Sequence, residues 1–345
     1  MTSSDSTVGV APPPPGVIPN FEHPSASLVN RLILAAAIAP AVTLPFLLLR
    51  LYTSNFIVRR WNKDDTLIIL GYICALSYAI ITGIQTHNGA GTHLYEVTAH
   101  KFRAFMKVGA IGGSITYNLS TLFIKLSILT LYLRYSPPSR KYFRIAVYVV
   151  MFIAAGYCFT NAISFLFTCT PIERLWDPAG TPGRCIDSYE HFMAGAGLNV
   201  GTDIIILLLP VWMLWGVRLG TWQKVGLAGI LMCGGFVCSV SIVRLRSILK
   251  GDPTMDFTWS YVPNVIWCLV EMFTGVICAC LAAMRPFFKH YFPNWIIFRD
   301  DFEMQLTSRR HFAGPSKADD GEVSGPDQDR VSKASVTVAE RADAV

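Results

Sequence analysis

Seven long apolar runs, each bounded by charged residues or by Pro and Gly, occupy most of the chain between residues 32 and 284. A helix needs about 20 mainly apolar residues to cross a hydrocarbon core. It must also pair its own backbone groups, because lipid offers them no partner. The pattern predicts helices over residues 32–52, 66–86, 105–133, 144–168, 192–215, 224–249 and 262–284. The third run is longer than a crossing requires, and its membrane part is expected to begin near Ile111. The predicted fold is therefore all-α: a polytopic membrane protein whose seven-transmembrane bundle covers residues 30–290. Residues 1–29 read as a disordered lead. Residues 291–345, rich in Ser, Asp, Gly and Lys without apolar periodicity, read as a largely disordered cytoplasmic tail.

Composition agrees with that pattern. The chain is 52% hydrophobic and 15% charged with mean hydropathy +0.42, against about 25% charge in soluble chains. The net charge of +6 matters through where its Lys and Arg fall, since short-loop basic residues set topology. Arg50, Arg59, Arg60 and Lys63 surround the first connection, and Arg134, Arg140, Lys141 and Arg144 the third. Arg218 and Lys224 mark the fifth, and Arg285, Lys289, Arg299, Arg309 and Arg310 follow the last helix. The other side has Arg31, Arg174 and Arg184, with Lys101, Arg103 and Lys107 in the second connection pulling the opposite way. The balance places the N-terminus outside and the C-terminus in the cytosol. No basic stretch followed by an apolar core opens the chain, so helix one is expected to serve as the anchor. The basic residues are spread over membrane loops, and no nucleic-acid partner is expected.

Seven of the nine cysteines fall in the apolar runs, where thiols act as small packing groups. Cys169 and Cys185 flank the fourth connection. In the assigned orientation that loop faces an oxidising space, and a Cys169–Cys185 disulfide would close it into a cap.

Charge inside a span is costly and is usually paired or functional. Lys125 in helix three, Asp203 in helix five, Arg244 in helix six and Glu271 in helix seven are such residues. With alternating helix direction, Lys125 and Asp203 fall at one depth, and Arg244 and Glu271 at another. Two cross-helix ion pairs are geometrically possible. They would either lock the bundle or line a polar cavity for a ligand or substrate. In an enzyme, Glu271 or Asp203 would be the candidate catalytic proton donor. His87, His93, His100 and His191, with Glu96, crowd one face, but their spacing is no tight ligand motif and no metal is expected. His93, after Gly89 and Gly91, is expected to fix a turn. Gly197 and Gly201 form a Gly-x-x-x-Gly pair, read as internal helix packing. Trp212, Trp215, Trp222 and Trp259 read as interfacial anchors. The sequon at Asn118 lies inside helix three and should be unused.

Several motifs recur in a known order. Residues 61–65 read W-N-K-D-D, residues 89–93 G-A-G-T-H, and residues 125–134 K-L-S-I-L-T-L-Y-L-R. Cys169, Pro171, Trp176, Gly183 and Cys185 give a spaced loop pattern. Asn199, Asp203 and the 207–210 run lie on helix five, and Trp267, Glu271, Gly275, Arg285 and Pro286 on or just after helix seven. In these the chain resembles the fungal seven-transmembrane rhodopsin-domain family. That group includes receptor-like membrane proteins and membrane proteins encoded in secondary-metabolite gene clusters. The resemblance implies a fold and a membrane rather than a reaction. Retinal of the microbial type needs a Lys in helix seven, and helix seven here has none. No retinal or other cofactor is expected.

Two functions follow as expectations. One is a receptor or sensor that binds a small ligand in the bundle, with Lys125, Asn199, Asp203, Arg244 and Glu271 as its polar residues. The alternative is a membrane-embedded enzyme or accessory factor, for example of cyclase type, acting on a lipophilic intermediate of a secondary-metabolite pathway. A transporter is the weaker alternative, since no helix is visibly broken and no inverted repeat is visible. The lipid bilayer and a small lipophilic ligand or substrate are the expected partners, in a plasma membrane or endomembrane. The sequence leaves the oligomeric state open.

Overall fold

The computed structural model describes residues 9–291 apart from 14, 17–19, 22–26, 137–139, 177–180, 186–187, 215–220 and 251–255. Residues 292–345 with their basic residues, Arg218, Trp215, and the side chains of His191, Trp222, Lys224 and Lys289 lie outside the described residues.

Among the described residues, nine α-helices follow in order: α1 Val29–Tyr52, α2 Lys63–His87, α3 Ala99–Met106, α4 Ser114–Tyr135, α5 Lys141–Leu166, α6 Ser188–Leu214, α7 Thr221–Lys250, α8 Phe257–Ala283 and α9 Arg285–Tyr291. Among the described residues, seven helical segments are long and apolar enough to cross a membrane. The expected spans are thus present, most of them extended by a few residues at their ends. Large side chains such as Phe152, 80% exposed, and Phe236, 58% exposed, point away from the bundle. A helix apolar on its outer face as well as its inner one belongs in lipid.

The third span is the longest among the described residues. Its helix starts ahead of the expected membrane part near Ile111, running on from α3 through a π-helical segment, Lys107–Gly113, into α4. Lys101, Arg103 and Lys107 made this stretch look like loop, yet they sit on a helix. The wide turn carries Gly109, Gly112 and Gly113, and a Cβ at Gly109 would collide with the Gln85 side chain of α2. Glycine therefore lets the two helices meet here.

Packing divides the core into lobes. Leu47, Ile68, Ala75, Leu269, Val276 and Ala279 bind α1, α2 and α8 together, and Leu129, Phe143, Val147, Ile206 and Leu209 bind α4, α5 and α6. Ile124 joins the first lobe to α4, wedged between Gly71 of α2 and Gly275 of α8, where a Cβ would approach it to 3.1 and 3.3 Å. Close approach over glycine is the membrane alternative to hydrophobic association. Gly197 and Gly201 do not serve this purpose. Among the described residues, nothing lies within 4 Å of a Cβ at either, so the internal-packing reading is corrected.

The G-A-G-T-H segment ties three helices at one end of the bundle. Gly89 and Gly91 adopt φ of +101° and +89°, a region open to glycine without steric cost. The Gly91 carbonyl accepts from Leu28 N–H at 2.9 Å, and its N–H donates to the Thr258 carbonyl at 3.2 Å. His93 stacks between Tyr95 and Trp259 and meets Asp256 through Nδ1 at 3.0 Å. Within the lead, Gly9 bridges to Thr98, and Val10 N–H donates to the Val97 carbonyl at 3.1 Å. The fourth connection carries a two-residue hairpin, β1 Cys169–Thr170 against β2 Arg184–Cys185, closed by the Cys169–Cys185 disulfide. Lys107 Nζ sits 4.9 Å over the Trp176 ring and latches this loop to the π segment.

Candidate functional site

A polar seam crosses the apolar interior on five helices. Lys125 of α4 is 5% exposed, and its Nζ has five oxygen partners. Asp203 Oδ1 of α6 lies at 3.0 Å, Asn199 Oδ1 at 2.8 Å, the Asn199 carbonyl at 3.2 Å, Thr202 Oγ1 at 2.7 Å and Tyr157 Oη of α5 at 3.1 Å. Removing an ammonium from water costs several kcal/mol even after relaxation, and this shell of oxygens offsets it. Asn199, Thr202 and Asp203 reach one cation because the i, i+3 and i+4 positions share a helix face.

The second pair lies beside the first. Arg244 Nε of α7 approaches Glu271 Oε2 of α8 at 2.7 Å, with the guanidinium 5.3 Å over the Tyr117 ring. Glu271 Oε1 accepts from Tyr117 Oη at 3.1 Å and from Asn199 Nδ2 at 2.5 Å. The same Asn199 amide reaches Asp203 Oδ2 at 3.3 Å, which also accepts from Ser241 Oγ of α7 at 2.9 Å. Asn199 thus bridges the two carboxylates, and the two ion pairs form one network. The Arg244–Glu271 contact is close but poorly aligned. Arg244 Nε and Nη2 and Glu271 Oε2 are buried without a hydrogen-bond partner among the described residues. Unpaired buried polar atoms cost about 1–3 kcal/mol each, so this half of the network is incompletely satisfied.

A cavity of about 70 Å³ opens against this seam between α4, α6, α7 and α8. Lys125, Asp203 and Glu271 form its polar roof, and Ile128, Leu207, Val237, Cys238, Met272 and Cys278 are among its apolar walls. That is room for several water molecules or a small polar group. It extends from the seam towards the end of the bundle where α4 finishes and α7 begins.

A second charged cluster sits at that same end, built from the W-N-K-D-D segment. Arg50 of α1 is 2% exposed. Its Nη2 donates to Asp64 Oδ2 at 2.8 Å, its Nε to Asp65 Oδ1 at 3.1 Å, and its Nη1 to the Ala279 carbonyl at 2.8 Å. Arg134 approaches Asp64 at 3.6 Å, and Ser54 Oγ donates to Asp65 Oδ2 at 2.6 Å. Asp64 and Asp65 occupy the first turn of α2, where the helix dipole favours negative charge. Asp65 also accepts the Asn62 N–H at 3.3 Å, one half of a capping box.

Sequence reasoning placed Lys125, Asn199, Asp203, Arg244 and Glu271 in the interior, and the structure brings all five together. It missed Tyr117, Tyr157, Thr202 and Ser241, uncharged residues that carry no mark inside an apolar run. It also misread Arg50, counted as a loop charge but buried against two aspartates. The available signal was an Arg and an Asp-Asp pair at the facing ends of consecutive helices. Cys169 and Cys185 are joined as expected. Of the loop histidines, His93 engages aromatic rings and Asp256 rather than other ligand-type residues.

Comparison with known proteins accords with this architecture. The chain is 29% identical over 217 residues to an SAT4 family membrane protein of Emericella nidulans, covering 63% of this chain and 54% of that relative's own length. It is 27% identical over 272 residues to polyenoic acids biosynthesis gene cluster protein Ba17b of Metarhizium anisopliae, covering 74% of this chain and 73% of the relative. It is 22% identical over 282 residues to Receptor GIN3 of Arthrobotrys oligospora, covering 81% of this chain and 67% of the relative. Residues 49–290 match the family model described as the fungal rhodopsin domain, a stretch that holds the W-N-K-D-D cluster, the disulfide loop and the whole buried seam. With its seven apolar helices, this chain belongs to the fungal rhodopsin domain family.

Proposed function

We propose that this multi-pass membrane protein is a receptor- or sensor-like protein that binds a small lipophilic molecule at the bundle, with only its polar group entering the cavity beside Lys125, Asp203 and Glu271. The cavity under the incompletely satisfied half of the seam carries this reading. Apolar walls with a few convergent polar groups are the usual make-up of a small-molecule site. The relative named Receptor GIN3 supports the same class. The N-terminus is assigned to the outside on loop charge, in a plasma membrane or endomembrane, and reporter fusions at both termini test that topology.

The relatives named as biosynthesis cluster proteins favour a second reading, a membrane-embedded factor acting on a lipophilic pathway intermediate. Acid chemistry at Glu271 or Asp203 has a geometric cost, because both carboxylates already accept from several donors and each faces a cation. A proton on either would displace one of these contacts. The binding reading asks for no such rearrangement.

The test is purification from fungal membranes in mild detergent, followed by mass spectrometry of bound small molecules. Wild-type protein should carry a lipophilic compound that Cys238→Leu, which fills the cavity, has lost while retaining its helical content. Equal occupancy in both proteins overturns the cavity assignment. Chemical conversion of the bound compound by wild type but not Glu271→Gln favours the enzyme reading instead.

A further inference from the structure

A different cavity, at the ends of two spans, has the chemistry of a lipid headgroup site. It measures about 360 Å³ and is lined by Arg140, Lys141, Tyr142 and Phe143 at the start of α5 and Trp212 near the end of α6. The candidate spans Lys141–Ser164 and Met193–Trp212 begin and end at these same residues. The cavity therefore lies at a membrane–water boundary, where Trp and Tyr settle. Phe143 is 3% exposed and packs on Trp212 with ring centroids 5.8 Å apart, giving the site a fixed aromatic floor. Tyr142 is 85% exposed and Trp212 49%, so the rim is open to whatever surrounds the protein.

Two cations at the rim, an aromatic floor and direct access from lipid together select the occupant. A soluble anion would be met by the charges alone. A lipid would also use the exposed apolar row that runs on from the cavity along α5, through Ile145, Val149 and Phe152. We infer that Arg140 and Lys141, with Trp212 beneath them, bind the phosphate-bearing headgroup of an anionic phospholipid, whose acyl chain lies along α5. Basic residues at the membrane surface attract anionic lipid with roughly fivefold in affinity per charge. This site is separate from the central seam and stands whether or not that seam binds a ligand.

Full-length protein reconstituted in phosphatidylcholine vesicles, with or without phosphatidylserine, tests the inference, with retained lipid counted by native mass spectrometry after detergent exchange. Wild type should retain phosphatidylserine in preference to phosphatidylcholine. Arg140→Gln with Lys141→Gln should lower that retention roughly 25-fold, Lys141→Glu alone more than fivefold, and Arg140→Lys hardly at all. The Lys141 variant leaves Arg140 and its existing contacts untouched, so it decides the matter if the double variant folds poorly. Equal retention of the two lipids, or unchanged retention in Lys141→Glu, overturns the site. Displacement of phosphatidylserine by inorganic phosphate alone would make it an anion site and overturn the lipid assignment.

Discussion

At the W-N-K-D-D end, Arg50 places three nitrogens on Asp64, Asp65 and the Ala279 carbonyl, and no described atom of these three charged side chains is buried without a partner. Midway along the bundle, Arg244 meets Glu271 at 2.7 Å, yet three polar atoms of that pair lack a hydrogen bond among the described residues. Both clusters are buried ion pairs, and the second adjoins the cavity of about 70 Å³. A saturated cluster has nothing left to offer a ligand and acts as a clamp between α1, α2 and α8. An unsaturated one retains donors and acceptors that a bound molecule or water can use. Burial of charge alone therefore does not mark a binding site; its residual valence does.

The sharpest way to break the contrast is to remove one side of the clamp. Asp64→Leu should leave Arg50 with a single charged partner in a site 2% exposed, and breaking a buried pair costs about 3–5 kcal/mol. Folded yield and the thermal midpoint in detergent should fall together, and Arg50→Met in the same chain should restore part of the loss. Glu271→Gln should cost less, about 3 kcal/mol at the lower end of that range, because the Arg244 contact is already misaligned. Neutralising both Arg244 and Glu271 with Gln should recover part of it. If Glu271→Gln proves as damaging as Asp64→Leu, the distinction between the clusters fails.

Asn199 joins the two pairs of the seam, so Asn199→Leu should cost about 1–3 kcal/mol by stranding carboxylate oxygens. A double-mutant cycle between Lys125 and Glu271 should show coupling above about 0.5 kcal/mol in the wild type and less in the Asn199→Leu background. Undiminished coupling would mean that the pairs communicate by another route. Ser241→Ala removes a single hydrogen bond to Asp203 and should cost about 1 kcal/mol in melting experiments, the smallest effect of the series.

The seven spans were legible because a run of apolar residues long enough to cross lipid has few other uses. The central charges were legible for the same reason: Lys125, Asp203, Arg244 and Glu271 stand out against apolar neighbours, and alternating helix direction sorts them by depth. Arg50, Asp64 and Asp65 were not, because a charge near a span end reads the same whether it points to solvent or folds back into the bundle. Gly109 and Gly197 make the point for small residues. Both sit in apolar helices, but among the described residues only the first has a side chain of another helix against it.

What the sequence determined by itself is set by the solvent: spans, their order and the residues too polar to face lipid follow from transfer energetics along one chain. Which cation meets which carboxylate, that Asn199 bridges two of them, that Arg50 turns inward, and that a cavity opens beside the less satisfied pair were decided by tertiary structure. Hydrogen bonds act over about 3 Å and depend on direction, and helix rotation and crossing, which place side chains to that tolerance, emerge only when all seven helices pack at once.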